Sequence, residues 1–445
     1  MNDIKSTVRL ESISIEGYRS CKHTEFAPHP QLSALIGING AGKTNVLSAI
    51  RSLAQFDSRR NRYFQNSVNH DTTNVPAPQL VSWFLLKTEN EGRDRRVGLR
   101  VALITAGSGS SADEVVDTKE EWNFSELVPD DFRDTKWLLV PPFLQEGFEA
   151  GAQFGESIRR HRVNLGDREV AISLAASLPG SDTTALQKLI ENKLALTAIK
   201  LINGWRRTIT YYSASQFTDP SRCPTNFELT ADRRLEYAYR GVSPHLQFLF
   251  DMYTLRANSK ERYDEYEEFV SRKHLGLISR ISWRDVKLSS HTAEVGSGGK
   301  FKKQKVHKTL VIPTVHIGHS HVSFSQVSEG TLRTLALMFY VMTTSSKCLL
   351  IEEPEVCIHH GLLTRIMDTI KSYSVTKQVI VSTHSDQVID RMTPDNVFVV
   401  EHAAAGTKVK PLALWAGKKG TQALHSYLDE SGTLGEYWRS GGLSS

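Results

Sequence analysis

Two periodicities alternate along this chain. Near its start Leu10, Ile13 and Ile15 lie in an alternating stretch, and residues 32–36 are almost wholly apolar until Gly37 stops the run. Alternation marks a strand with one buried face, and a short apolar run marks a strand buried on both, so two sheet strands are expected. The period then lengthens. From Thr44 to about Gln55, Val46, Ile50 and Leu53 recur at i, i+4 and i+7, and Leu47, Ala49 and Ala54 widen the stripe. That spacing is a helix with one face on a core, so the chain opens as strand, glycine loop, helix.

Residues 80–86 and 97–104, with a weaker run near Val115, read as strands broken by the polar stretches 89–96 and 106–113, the pattern of a meander. From about residue 127 helical spacing takes over. In 183–202, Leu186, Leu189, Ile190, Leu194 and Ile199 repeat at that spacing; Asp182 is placed to cap the start and Asn203-Gly204 to supply a left-handed stop. Residues 209–213 read as a strand returning to the sheet, 232–285 as charged helix, and the Ser/Gly-rich stretch 289–299 as a mobile loop. Strands at 310–317, 322–324, 348–351 and 379–382 then alternate with helices from Thr331 and Gly361. Strand and helix in alternation with short links build a parallel α/β sheet. The sheet is therefore split: residues 1–126 carry its first part, 127–306 a mainly helical insert with one strand returning near 207–216, and 307–445 its second part.

Composition narrows the class. Of 445 residues, 54 are Lys or Arg and 49 Asp or Glu, a net charge of +5, with 40% hydrophobic and 23% charged residues. This excludes a disordered or collagen-like chain and allows about two or three domains. The four cysteines, Cys21, Cys223, Cys348 and Cys357, form no C-x-x-C pair, which argues against a disulfide framework or zinc knuckle and suits a reducing compartment. Residues 1–5 lack the layout of a secretion leader, and the longest apolar stretch, 335–342, is far short of the roughly 20 residues a bilayer span needs. A cytoplasmic location without a membrane partner is expected.

Chemistry concentrates in four places. Gly37-Ile38-Asn39-Gly40-Ala41-Gly42-Lys43-Thr44 is a full match to G-x-x-x-x-G-K-[ST] between an apolar strand and an amphipathic helix. Glycines let backbone N–H groups wrap a phosphate, the helix N-terminus adds positive potential, Lys43 reaches the β- and γ-phosphates, and Thr44 offers its hydroxyl to Mg²⁺. Cys348-Leu349-Leu350-Ile351-Glu352-Glu353 is an apolar strand ending in paired acids, placed to supply one carboxylate for the metal and one for the attacking water. A third strand ends in Ser382-Thr383-His384-Ser385, whose His384 is placed to sense a γ-phosphate. Ser328-Glu329-Gly330-Thr331 opens an apolar helix, a second N-terminus suited to phosphate. The economical arrangement has Ser328 of one copy meet the γ-phosphate held by Lys43 of another.

On these motifs, together with Gly17-Tyr18-Arg19-Ser20 after the first strand, the chain resembles the ABC-type ATPases of the SMC, RecF and OLD-like group. The resemblance covers residues 5–60 and 310–400, and it implies an α/β fold: a P-loop NTPase of ABC-ATPase type, a split head with a mixed β-sheet and a helical insert. It implies ATP and Mg²⁺ as cofactors, Asn39, Gly40, Ala41, Gly42, Lys43, Thr44 and Asn45 around the nucleotide, and Ser328 with Gly330 as signature residues. By the same resemblance Glu352 holds metal, Glu353 is the general base, His384 the switch, Arg19 a nucleotide contact and Gln216 a second metal-sensing residue. Glu352 stands where the wider class has Asp, His360 where many relatives have Pro, and no heptad arm is present.

Histidines 316, 319 and 321 suggest a metal cluster, but they sit on or beside one strand without a nearby cysteine, so structural roles are favoured. Lys300, Lys302, Lys303, Lys305 and Lys308 form a basic stretch, with solvated loop and nucleic-acid contact as the two readings. The residues after His384 are too few for an appended nuclease domain, and the ending resembles stand-alone ATPases of prokaryotic phage-defence operons. The expected function is an ATPase whose ATP-dependent dimer, or larger homo-oligomer, drives a conformational switch in anti-phage defence with a nuclease or toxin partner in trans. The alternative is a RecF-like ATPase on duplex DNA.

Overall fold

The structure, a computed structural model, describes residues 6–55, 78–88, 94–104, 117–132, 137–140, 182–230, 235, 242–295, 301–430 and 432–440. Contacts divide the chain into two units, Met1–Tyr211 with Ser346–Glu352 and Ser374–Ser445, and Tyr212–Ser345 with Glu353–Tyr373.

Two sheets build the first unit. Strands β1 (Ser6–Tyr18), β2 (Cys21–Phe26), β4 (Gln79–Thr88), β5 (Arg95–Ile104), β6 (Asp117–Asn123) and β7 (Leu138–Leu139) form an antiparallel meander in the order β2-β1-β4-β5-β6-β7. The second sheet runs β16-β15-β3-β14-β13-β8, with β3 Leu32–Ile36, β8 Thr210–Ser213, β13 Cys348–Glu352, β14 Gln378–Thr383, β15 Val397–Ala403 and β16 Gly406–Pro411. Neighbours β15, β3, β14 and β13 are parallel and β16 is antiparallel, so the sheet is mixed, as expected. All residues of β3, β13 and β14 are buried, which is why these strands read as apolar runs.

Between the sheets lies one core. Val46, Leu47, Ala49 and Ile50 of the helix Lys43–Ser52 meet Ile13 and Ile15 of β1, Phe84 of β4, and Ile199, Ile202 and Trp205 of the helix Lys193–Arg207. Each such side chain contributes about 1.5–3 kcal/mol on burial. Buried Arg206 ties three elements together, donating to both carboxylate oxygens of Glu120 on β6, to Asn203 Oδ1, and to the Leu53 carbonyl where the first helix ends.

The helix expected over 183–202 is two, Thr183–Glu191 and Lys193–Arg207. Asn192 interrupts it with an extended backbone, and its side chain accepts from the amides of Leu194 and Ala195 as a new N-cap. Asn203-Gly204 is no stop, because buried Trp205 and Arg206 hold the next turn on the core.

The second unit packs the helices Pro244–Asn258, Lys260–Val270, Glu329–Thr343 and His360–Tyr373 with a sheet of β9 (Phe227–Leu229), β10 (Arg280–Val295), β11 (Phe301–Ile317) and β12 (Ser320–Val322). Phe248 makes edge contacts with Phe217, Phe324 and Phe339, and the Tyr266 hydroxyl donates to the Leu335 carbonyl at 2.9 Å. Two expectations fail here. Residues 232–285 are not continuous helix, since the helical part ends at Val270 and β10 starts at Arg280. Nor is 289–299 a loop where it is described: residues 289–295 continue β10, in register with β11 from Ser289↔His307 to Val295↔Phe301. Ladder pairing satisfies the backbone whatever the side chains, so Ser and Thr composition misleads there. Residues 296–299 and Lys300 lie outside the described residues. Among the described residues no helix is long and apolar enough to cross a membrane.

Candidate nucleotide site

The glycine loop leaves the C-terminal end of β3 and enters the helix at Lys43. Gly42 caps that helix in the left-handed region with φ 106°, and a Cβ there would overlap the Thr407 hydroxyl, so only glycine fits. Ile38, Asn39 and Gly40 are exposed at the tip, while Ala41 and Gly42 are buried. Lys43 is 6% exposed, and its ammonium donates to the carbonyls of Gly37 at 2.8 Å and Ile38 at 3.1 Å, curled over the loop. The cation is thereby held where a phosphate bound by the loop amides would meet it.

Thr44 and Glu352 come together. The Thr44 hydroxyl donates to Glu352 Oε1, and the Tyr211 hydroxyl donates to Glu352 Oε2 at 2.5 Å. The Arg51 guanidinium lies 4.5 Å from the centre of the Tyr211 ring. A hydroxyl and a carboxylate are hard oxygen donors, and Mg²⁺ binds through one or two such groups plus phosphate oxygens and water, so this pair fits the metal the sequence implies.

A second network braces the loop from the antiparallel sheet. Arg19, at φ 50° in the turn between β1 and β2, donates to Asn45 Oδ1 at 3.3 Å; Asn45 Nδ2 donates to Ser20 Oγ at 2.6 Å. Ser20 Oγ pairs with Thr407 Oγ1 at 2.7 Å, and the Thr407 hydroxyl also lies 3.2 Å from the Ala41 carbonyl it donates to. Arg19 and Asn45 thus meet beside the loop.

His384 follows β14 and is exposed. Parallel registers set Thr383 against Ile36 and Ser382 against Glu352, so His384, the loop and Glu352 all leave the same edge of the sheet. The other expected residues belong to the second unit. Ser328 is the N-cap of the helix Glu329–Thr343, accepting from the Thr331 amide at 3.2 Å. Gly330 is needed because a Cβ would sit 2.5 Å from the Cys357 carbonyl oxygen. Glu353, directly after β13, holds φ 49°, a region that non-glycine residues rarely adopt. Gln216 lies in the 3₁₀ turn Ala214–Phe217, partly buried. Sequence reasoning missed Tyr211, Thr407 and the part played by Ser20. No local pattern marks them, since their partners arrive through sheet pairing.

A P-loop after β3, a strand ending in paired acids and a helix opened by Ser-Glu-Gly-Thr define an ABC-type P-loop NTPase. Comparison with known proteins narrows this. A family described as "AAA domain, putative AbiEii toxin, Type IV TA system" matches residues 206–390. The Old nuclease of Escherichia phage P2 is 51% identical over 47 residues, 11% of this chain and 8% of that protein. The DNA replication and repair protein RecF of Shewanella sp. (strain W3-18-1) is 32% identical over 92 residues, 20% of this chain and 23% of that one. The chain thus spans less than a quarter of these relatives' length. A solved SMC head bound to the C-winged helix domain of ScpA overlays with a TM-score of 0.46 at 15% identity, covering 93% of this chain and 99% of that one. In these stretches the chain is similar to SMC-, RecF- and OLD-like ABC-type ATPases.

Proposed function

We propose that the chain binds ATP with Mg²⁺, hydrolyses it, and uses the cycle to switch the conformation of a homo-oligomer. The observation that carries this reading is the meeting of Thr44 and Glu352 beside a loop whose Lys43 is already turned inward. Lys43 exchanges two carbonyl partners for phosphate oxygens, while Thr44 and Glu352 hold the metal, with Gln216 as a further metal-sensing group. Bound Mg²⁺ supplies charge neutralisation on the phosphates. Asn39, Gly40, Ala41, Gly42 and Asn45 line the nucleotide, with Arg19 positioned through Asn45. Glu353 accepts the proton of the attacking water. Its left-handed backbone, which costs on the order of 1–3 kcal/mol, is the kind of strain that functional sites retain. His384 hydrogen-bonds the γ-phosphate, and Ser328 with Gly330 engages the nucleotide of another copy.

The setting we propose is anti-phage defence in the cytoplasm, with a separate nuclease or toxin as effector; the Old nuclease relative and the matched family description support it. RecF relatives support a second reading, a DNA-maintenance ATPase. Steady-state phosphate release and nucleotide binding test the chemistry. Glu353→Gln should keep ATP binding and lose roughly 10²–10⁴-fold in turnover. Lys43→Ala should lose binding itself. Normal turnover by Glu353→Gln would remove Glu353 as the base.

A further inference from the structure

Strand pairing fixes the approach to His384 but stops one residue short of it: Thr383↔Ile36 is the last pair between β14 and β3. Beyond it the chain turns, with the Ser385 amide donating to Thr383 Oγ1 at 3.0 Å, and enters the one-turn helix Asp386–Ile389. Its N-cap, Ser385, makes no side-chain cap hydrogen bond, and a single turn is far below the roughly 12–15 residues at which a helix holds by itself. Tertiary contacts therefore have to hold this turn.

A second short helix, Leu434–Arg439, supplies them. Its Leu434 and Gly435 are buried, as are Val388 and Ile389 of the turn. The Gly435 amide donates to Asp390 Oδ1 at 2.6 Å, and the Arg439 guanidinium pairs with Asp386. A Cβ on Gly435 would sit 2.2 Å from the Asp386 carbonyl oxygen and 2.6 Å from Asp390 Oδ1, so the two segments meet where only glycine fits. Behind this contact the helix is itself anchored. Thr433 and Glu436 close a capping box at its start, and Tyr437 packs on Tyr427 with ring centres 5.3 Å apart. Tyr427 belongs to the helix Leu412–Asp429, whose Trp415 Nε1 donates to Glu401 of β15 at 2.5 Å. A continuous strut thus runs from β15 of the mixed sheet to the residues that follow His384.

We infer that Gly435 and Arg439 are positioning residues for His384: by pinning the turn 386–390 they set where its imidazole can meet a phosphate. The inference rests on the proposed contact of His384 with the γ-phosphate. His384 is exposed and two residues from Asp386, so a tilt of the turn displaces its ring. A hydrogen-bonding group has to lie within roughly 2.6–3.2 Å of its partner, and a misplacement of about 1 Å can lower a rate on the order of 10²-fold. The two contacts differ in weight. Arg439 is 66% exposed, and a pair so open to water contributes a factor of about two to five. The Gly435 contact has no slack, so it places the turn, and the ion pair only steadies it.

Hydrogen exchange read by mass spectrometry over residues 383–392 of the full chain, alongside kcat and KM for ATP, tests this. Gly435→Ala should speed exchange across the turn about tenfold or more, as for a locally opened segment. It should lower kcat on the order of 10²-fold and leave KM within about twofold. Combined with His384→Ala it should lower kcat no further than His384→Ala alone, because both changes remove one contact. Arg439→Ala should show the same pattern at about two- to fivefold, and Arg439→Lys should restore it. Should Gly435→Ala melt early, the two Arg439 variants decide by the same readouts. Unchanged exchange over the turn would overturn the inference whatever the rates, and so would losses in kcat that add to that of His384→Ala. Normal turnover by His384→Ala would remove the phosphate contact, and the positioning role with it; unaltered exchange in that variant separates this case from a failure of the pinning.

Discussion

Two hydroxyls converge on the Glu352 carboxylate, one from the P-loop helix and one from Tyr211, 141 residues away in sequence. A hydrogen bond to a charged group is worth about 1.5–3 kcal/mol, and here it fixes which carboxylate oxygen faces Thr44. Tyr211→Phe keeps the ring under Arg51 and deletes only that bond. We expect nucleotide affinity without metal to be unchanged, and the Mg²⁺ concentration for half-maximal hydrolysis to rise about tenfold or more, as when other groups supporting a metal ligand are removed. An unmoved Mg²⁺ midpoint would leave Tyr211 a packing residue. Lys43, Thr44 and Glu352 were legible because each belongs to a contiguous motif. Tyr211 was not: a tyrosine in a short strand is explained equally well by burial.

The helix Pro244–Asn258 carries Asp251, whose pKa burial raises from 3.8 to about 6, against the opposing hydrogen bond from Gln247 at 2.6 Å. A folded-state pKa above the unfolded value means that the native state holds the proton more tightly. The stability this adds is complete below pH 3.8 and is lost as pH rises through about 6. The stability of the wild type towards unfolding should therefore drop between about pH 4 and 6.5 by an amount on the order of 2 kcal/mol from this group, and Asp251→Asn should flatten that drop. Equal pH slopes in the two proteins would count against the assignment. Element boundaries went astray for a related reason: local signals compete with tertiary packing. Asn192 looked like a helix interior and became a cap, while Asn203-Gly204 looked like a stop and was overridden by Trp205 and Arg206 on the core.

For the molecule as a whole, the proposed output is assembly. Ser328 caps a helix whose N-terminus suits a phosphate, and a nucleotide shared between copies would couple binding to association. Light-scattering mass of Glu353→Gln should rise with ATP and Mg²⁺. Adding Ser328→Arg should abolish that rise while nucleotide binding to the single copy persists. A mass that is high already and indifferent to ATP would place the switch within a fixed scaffold.

The sequence by itself determined the split mixed sheet, the phosphate loop and the acidic strand end, because each is written in a short contiguous stretch: apolar runs for strands buried on both faces, glycines where backbone must approach phosphate, paired acids where a strand stops. Tertiary structure decided what those stretches touch. Thr407, placed 366 residues after Ala41, shapes the space that only Gly42 fills, and Tyr211 reaches Glu352 across a strand pair. The ribbon of β10 and β11 was likewise decided there, since its ladder bonds form between backbones and leave polar side chains free of any strand pattern. Contacts of that range depend on how strands are ordered in a sheet, and no local period encodes that order.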